Sequence, residues 1–155
     1  MPDSPWRLLN EQLISGGRTD LGRDLVRAVR AEGEPTLRAV RAAWRSIEVT
    51  SSAGGTARPD RSTGLRRRVA DATRLSATKT GVRIVVNGRA VDAVYGNSLA
   101  WYLNATGRPW RHPVFGRDVW AVQTGREVFF STINARRPAF RAGIEAAMES
   151  TARRF

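Results

Sequence analysis

Residues 18–48 read RTDLGRDLVRAVRAEGEPTLRAVRAAWRSIE, and this stretch decides the fold. Its apolar residues recur at spacings of three, four and eight, which is typical of one face of a helix. They are Leu21, Leu25, Val29, Leu37, Val40, Trp44 and Ile47. Gly33-Glu34-Pro35 interrupts the pattern, and proline inside a helix kinks or breaks it. Because the apolar phase is the same on both sides of Pro35, we expect one long kinked helix.

The other face of this helix is basic. It carries Arg23, Arg27, Arg30, Arg38, Arg41 and Arg45. The whole chain has 26 Lys+Arg against 14 Asp+Glu, a formal net charge of +12, and its only lysine is Lys79. A GC-rich genome can account for arginine in place of lysine, as can the paired contacts that arginine makes with carboxylates and phosphates. The genome explanation does not account for the excess of positive charge, which predicts an acidic partner, either nucleic acid or protein.

The composition indicates one folded domain. The chain has 155 residues, 41% hydrophobic and 26% charged, which are ordinary values for a globular protein. No apolar run approaches the ~20 residues of a membrane helix, so we expect no membrane partner. The first residues, MPDSPWRLLNEQL, do not resemble a secretory signal. The absence of cysteine excludes disulfides and thiolate chemistry and fits synthesis in a cytoplasm.

The predicted organisation is an N-terminal arm, residues 1–17, followed by a single α+β domain, residues 18–155. Within the domain, residues 50–64 (TSSAGGTARPDRSTG) have the composition of a flexible loop. A short helix is predicted over residues 64–75. The strands and the C-terminal helix that follow complete an α+β fold with a long N-terminal helix and a small antiparallel sheet.

The sheet is predicted to contain a β-hairpin within residues 78–96. Val82, Ile84 and Val86 alternate, and Asn87-Gly88 is a strong signal for a two-residue turn, so the return strand would run to Tyr95.

The C-terminal half is predicted as follows. Residues 99–107 form a short helix or turn, residues 108–118 an irregular Pro-rich connection, and residues 119–123 a strand or helical turn. Residues 128–155 form an amphipathic helix with a kink near Pro138. Phe140, Ile144 and Met148 share one face of it.

Catalysis has little support in the sequence. The sole histidine is His112, and the nearest acidic residue in sequence is Asp118. These two side chains are too few ligands for a metal site. No nucleophile elbow, zinc-protease motif or phosphate-binding loop is present. We therefore predict a protein that is not an enzyme, with no catalytic, cofactor-binding or metal-binding residues and no cofactor.

Nucleic-acid binding is the alternative prediction. The net charge and the runs Arg66-Arg67-Arg68 and Arg153-Arg154 suit phosphate contacts. No helix-turn-helix, zinc-finger or RNA-binding signature accompanies them. A basic DNA-binding accessory protein therefore stays open beside a protein-binding role.

The strongest functional signal is an aromatic and basic segment, residues 101–120. Tryptophan, tyrosine and arginine dominate the energetics of protein interfaces. We expect Trp101 and Trp120 to lie in the core, and Trp110 and Phe115 to be candidates for a partner surface. The candidate interface residues are Trp6, Arg108, Trp110, Arg111, His112 and Phe115.

At this segment the chain resembles the neck and tail-completion proteins of long-tailed bacteriophages, also called head-tail connector or minor tail proteins. The resemblance rests on the order of short motifs over roughly residues 20–155. They are a Gly-Leu-Arg-Arg segment (Gly64, Leu65, Arg66, Arg67), the hairpin at 82–95, Tyr102, RHPVFG at 111–116, WAVQ at 120–123, and a C-terminal helix.

The resemblance implies a structural virion protein of the phage neck, made in the host cytoplasm. Such a protein performs no reaction and joins the tail to the DNA-filled head as a ring, expected to be hexameric. Its partners would be further copies of itself, a head-side connector or stopper, and a tail terminator or tail tube protein. DNA passing through the lumen is a further candidate contact.

Overall fold

The architecture combines long helices with two small antiparallel hairpins. The computed structural model describes residues 19–48, 64–78, 81–105, 107, 109–113 and 120–153. The elements in chain order are α1 (Thr19–Ser46), α2 (Leu65–Ala72), β1 (Thr73–Thr78), β2 (Gly81–Val86), α3 (Gly88–Val91), α4 (Gly96–Asn104), β3 (Pro109–Pro113), β4 (Trp120–Thr124) and α5 (Phe129–Ala152). The α+β prediction is confirmed. The predicted arm, 1–17, and all of the predicted loop except Gly64 lie outside the described residues.

The first helix is continuous through Pro35, as the unbroken apolar phase predicts. Leu25, Val29, Leu37, Val40, Trp44 and Ile47 are each at most 4% exposed. Pro35 lies on the exposed side and cannot donate to the carbonyl of Ala31, four residues earlier. Because Ala31 is also exposed, water can satisfy that carbonyl.

Helices α1 and α5 run antiparallel and carry the core in two clusters. Near the end of α1, Trp44 packs on Phe129 at the start of α5, with ring centroids 5.9 Å apart. This first cluster also takes in residues of α2, α3 and α4. Near the start of α1, Leu25 and Val29 pack with Ile144 and Met148 of α5, and Phe140 packs beside them. The predicted apolar face of the C-terminal helix is confirmed.

The hairpin predicted over 82–95 is wrong, because β2 does not pair with a strand that follows it. Strand β2 instead pairs antiparallel with the preceding strand, β1, in a register that places Leu75 opposite Ile84 and Thr73 opposite Val86. Asn87 does not turn the chain, because its φ of −78° is outside the positive-φ region that a two-residue hairpin turn requires. Its N–H instead donates to the carbonyl of Ala72, and Gly88 begins α3.

The connection predicted as irregular over 108–118 contains a strand. Strand β3 pairs with β4, and Pro109 and Pro113 lie at its two ends, opposite Thr124 and Trp120. Proline is tolerated at strand ends because a missing N–H there interrupts no interior hydrogen bond of the ladder. The sequence predicts either a strand or a helical turn over residues 119–123. The structure has a strand there, β4, over residues 120–124.

Candidate functional site

Helix α4 presents an exposed aromatic surface. Trp101 is 59% exposed and Tyr102 40%, and the preceding Val94 and Tyr95 are 77% and 66% exposed. The expectation that Trp101 is a core residue is therefore wrong. Helix α4 buries Ala100 and Leu103 instead, and this leaves its largest side chains on the opposite side. We call Trp101, Tyr102 and Trp110 the aromatic face.

Three rings of the aromatic face contact one another. Trp101 meets Tyr102 edge-on, with centroids 5.1 Å apart, and Tyr102 stacks on Trp110 at 5.7 Å. Trp110 is half-buried in β3, so the second hairpin supports the less exposed end of the cluster. Rings held against each other lose few rotamers on binding, which favours them as anchors for a partner.

Trp101 and Tyr102 lie in the longest stretch of the sequence that has no charged residue. Residues 93–107 contain no Asp, Glu, Lys or Arg, although 26% of the chain is charged. Depletion of charge together with exposed tryptophan and tyrosine is the compositional signature of the centre of a protein interface. This charge-free stretch is a sequence signal for the segment, but it does not say which of its aromatic side chains are exposed.

Close backbone contact fixes the start of α4. A Cβ on Gly96 would lie 1.7 Å from the carbonyl oxygen of Gly88, so α3 and α4 touch through their backbones. Between them, the carboxylate of Asp92 accepts hydrogen bonds from the N–H groups of Tyr95 (2.9 Å) and Val94 (3.0 Å). These two bonds hold the pKa of Asp92 below its ordinary value, the bond from Tyr95 contributing most. Asp92 is thus a turn-forming group that stays ionised, unsuited to serve as a general acid.

The end of α4 is tied to the start of α5. The side-chain oxygen of Asn104 accepts hydrogen bonds from the N–H groups of Val128 and Phe129, both 3.0 Å long. These donors have no partner within α5, so Asn104 caps that helix from a different helix. Gly125 approaches so closely that a Cβ there would lie 2.2 Å from the carbonyl oxygen of Tyr102. The aromatic face is therefore held at both ends, and sequence spacing gave no signal for the contact made by Asn104.

The predicted interface residues are only partly brought to this surface. Trp110 joins the aromatic face, and Arg111 is exposed beside it in β3. His112 lies in β3 opposite Ala121. Trp6, Arg108 and Phe115 lie outside the described residues.

The predicted basic face of α1 is largely exposed. Of its six arginines, Arg41 is half-buried and the other five are exposed. Within α1, Arg27 pairs with Asp24 at 3.0 Å and Arg30 with Glu34 at 3.8 Å. Exposed pairs of this kind contribute little to stability, so these arginines stay accessible to a partner.

Two arginines of this face make contacts with other elements. Arg41 donates from Nε (3.1 Å) and one Nη (2.8 Å) to the carbonyl oxygen of Thr73. Arg45 donates to the carboxylate of Asp71 at 2.7 Å, and Arg67 approaches the same carboxylate at 3.6 Å. Both contacts fasten α1 to the junction of α2 and β1. The end of the basic face therefore has a structural role.

Within the described ranges, no group of three or more His, Asp or Glu side chains could hold a metal ion, and no described helix has the length and apolar character of a membrane span. Comparisons with models of protein families, with curated proteins and with solved structures found no match.

Proposed function

We propose that this chain is a structural assembly protein that binds a protein partner through the aromatic face. The observation that carries the proposal is the exposed pair Trp101 and Tyr102 on an uncharged helix, with Tyr102 stacked on the half-buried Trp110 of β3. Monomeric proteins rarely expose contiguous apolar surface of this kind unless it binds something. The contacts of Gly96 and Asn104 support the proposal because they hold the surface in one conformation before binding.

The assembly we propose is the neck of a long-tailed bacteriophage, with the chain acting as a tail-completion protein and catalysing no reaction. The basis for this finer proposal is the sequence resemblance described above. Copies of the chain would form a ring, expected to be hexameric, between a head-side connector or stopper and a tail terminator or tube. In such a ring the aromatic face of one subunit binds a different surface of the next. Two identical surfaces would pair as a closed dimer, whereas contacts between different surfaces form a ring when the rotation between subunits closes it.

A basic DNA-binding accessory protein is the second candidate, and the net charge of +12 favours it. The two functions differ in their response to salt. Binding through phosphates weakens steeply as salt is added, whereas binding through aromatic side chains changes little. Titration of labelled duplex DNA with the full chain at two salt concentrations tests this candidate, and weak binding at physiological salt would exclude it.

The test of the neck proposal is complementation of a phage from which this gene has been deleted. We expect the deletion to leave separate heads and tails, and the wild-type chain supplied in trans to restore infectious particles. Trp101→Ser should fail, because loss of an interface anchor costs at least about 2 kcal/mol, or about thirtyfold in affinity. The matched control is Val85→Ser, which removes an exposed apolar side chain from β2.

Two outcomes would refute the proposal. If the deleted phage still joins heads to tails, the chain is not a neck component. If Trp101→Ser complements as well as Val85→Ser, the aromatic face is not the assembly surface. Both variants should first be shown to unfold at the wild-type denaturant concentration.

A further inference from the structure

A second surface, separate from the aromatic face, lies between α1, β2 and α5. It is a groove with a cavity of about 210 Å³. We call it the central groove. The residues that line it are Gly33, Thr36, Val82, Ile84, Ile133, Arg136, Arg137 and Phe140.

The groove exists because α1 has small residues where it crosses the middle of α5. The two core clusters fill the space at either end of the helix pair. Between them α1 offers only Gly33 and Thr36, so the space beside Ile133 and Phe140 stays open. The lack of a side chain at Gly33 also lets β1 approach α1, since a Cβ there would lie 2.5 Å from Cδ1 of Leu75.

The α5 side of the groove is positively charged. From Phe129 to Ile144, helix α5 carries Arg136, Arg137 and Arg141 and no acidic residue. Arg136 and Arg137 are exposed, and neither forms an ion pair with any residue in the part of the chain that the structure describes. The groove therefore combines an apolar floor with two available guanidinium groups.

We propose that the central groove binds an acidic peptide segment of a partner protein. One large apolar side chain of the segment enters the cavity, and a neighbouring carboxylate pairs with Arg136 or Arg137. The size fits this ligand, because an apolar cavity of ~150 Å³ accepts a benzene ring, whereas small-molecule sites usually measure ~300 Å³ or more. Arginine binds carboxylates through two parallel hydrogen bonds, which fixes the orientation of the segment.

The lining favours a peptide over single-stranded nucleic acid. Bases bind by stacking on successive exposed aromatic rings. The floor offers one ring, the half-buried Phe140, among the aliphatic Val82, Ile84 and Ile133. Aliphatic side chains around one cavity suit a leucine or phenylalanine side chain instead. This proposal does not depend on the phage neck proposal, because it involves none of the residues of the aromatic face.

The test is fluorescence polarisation with the full chain and a short labelled peptide that has one phenylalanine flanked by aspartates. A second peptide with alanine in place of phenylalanine is the matched ligand control. We expect the alanine peptide to bind at least about thirtyfold more weakly, the loss typical of an anchor residue. Its use requires no change in the protein, so the test does not depend on any variant folding.

Three variants locate the binding. Arg136→Ala with Arg137→Ala should weaken binding about tenfold, and more at low salt, because rim charges are screened. Thr36→Met fills the floor and should also weaken binding at least tenfold while leaving both charges in place. The control Arg141→Ala removes an exposed arginine of the same helix that does not line the groove, and affinity should stay within about twofold.

Equal binding of the two peptides would overturn the proposal, as would unchanged affinity in both the double-arginine and Thr36→Met variants. Duplex DNA and vesicles of anionic phospholipid are the competing ligands. If either one binds in a manner abolished by Thr36→Met while the phenylalanine peptide does not bind, the groove serves a different ligand and the proposal is wrong.

Discussion

Gly96→Ala should destabilise the protein although alanine is the better helix former. The φ angle of Gly96 is not positive, so its backbone conformation permits alanine. The obstacle is contact, since the new Cβ would lie 1.7 Å from the carbonyl oxygen of Gly88 and 3.2 Å from its Cα. These are backbone atoms and cannot rotate away, so α3 and α4 must separate. Forced overpacking of this kind costs about 3 kcal/mol.

The matched control is Gly22→Ala, in α1. No atom of the described residues lies within 4 Å of a Cβ built at Gly22, so only helix propensity changes and stability should rise by about 0.5–1 kcal/mol. The assay is urea unfolding followed by circular dichroism and tryptophan fluorescence. With a slope of about 2 kcal/mol per molar urea, the Gly96→Ala midpoint should fall by about 1.5 M while the Gly22→Ala midpoint rises slightly. A Gly96→Ala midpoint at or above wild type would refute the close contact between α3 and α4.

Three further predictions concern groups that hold the elements together. In urea unfolding, Arg41→Ala should lower the free energy of unfolding by about 1.5–3 kcal/mol, because it removes two charged hydrogen bonds to the carbonyl oxygen of Thr73. The control Arg38→Ala, at an exposed site on the same helix, should change the free energy of unfolding by less than about 0.5 kcal/mol. Asn104→Ala should cost about 1 kcal/mol in the same assay, the usual effect of removing a helix cap, and an unchanged midpoint would contradict its capping role. Asp92 has a lowered folded-state pKa, so its stabilising effect is present above the ordinary pKa of an aspartate and is lost as pH falls through the lower folded value. Asp92→Asn should therefore reduce the acid-induced loss of stability, measured by thermal unfolding between neutral pH and about pH 3. An unaltered pH profile would show that Asp92 does not contribute to this loss.

The long helices follow from local patterns in the sequence. The spacing from Leu25 to Ile47 requires that one face of a helix be buried, and Pro35 falls on the other face, where a missing hydrogen bond is tolerated. The same reasoning correctly placed Ile144 and Met148 in the core. Periodicity succeeds there because the apolar stripe is a local pattern of the helix, and a helix that carries such a stripe buries it whichever element it packs against.

Strand pairing and the exposure of the aromatic side chains depend on contacts that form only in the folded chain. Asn87-Gly88 has the local signal of a turn, but Gly88 begins α3 at a position where a Cβ would lie 1.7 Å from Oδ1 of Asn97, and β2 pairs with the strand before it. Trp101 has the local signal of a core residue, but the sides of α4 are sorted by what lies beneath the helix. Ala100 and Leu103 fit against the first core cluster, so Trp101 is left to face outward. Such choices depend on contacts between residues far apart in sequence, and local spacing holds no information about them.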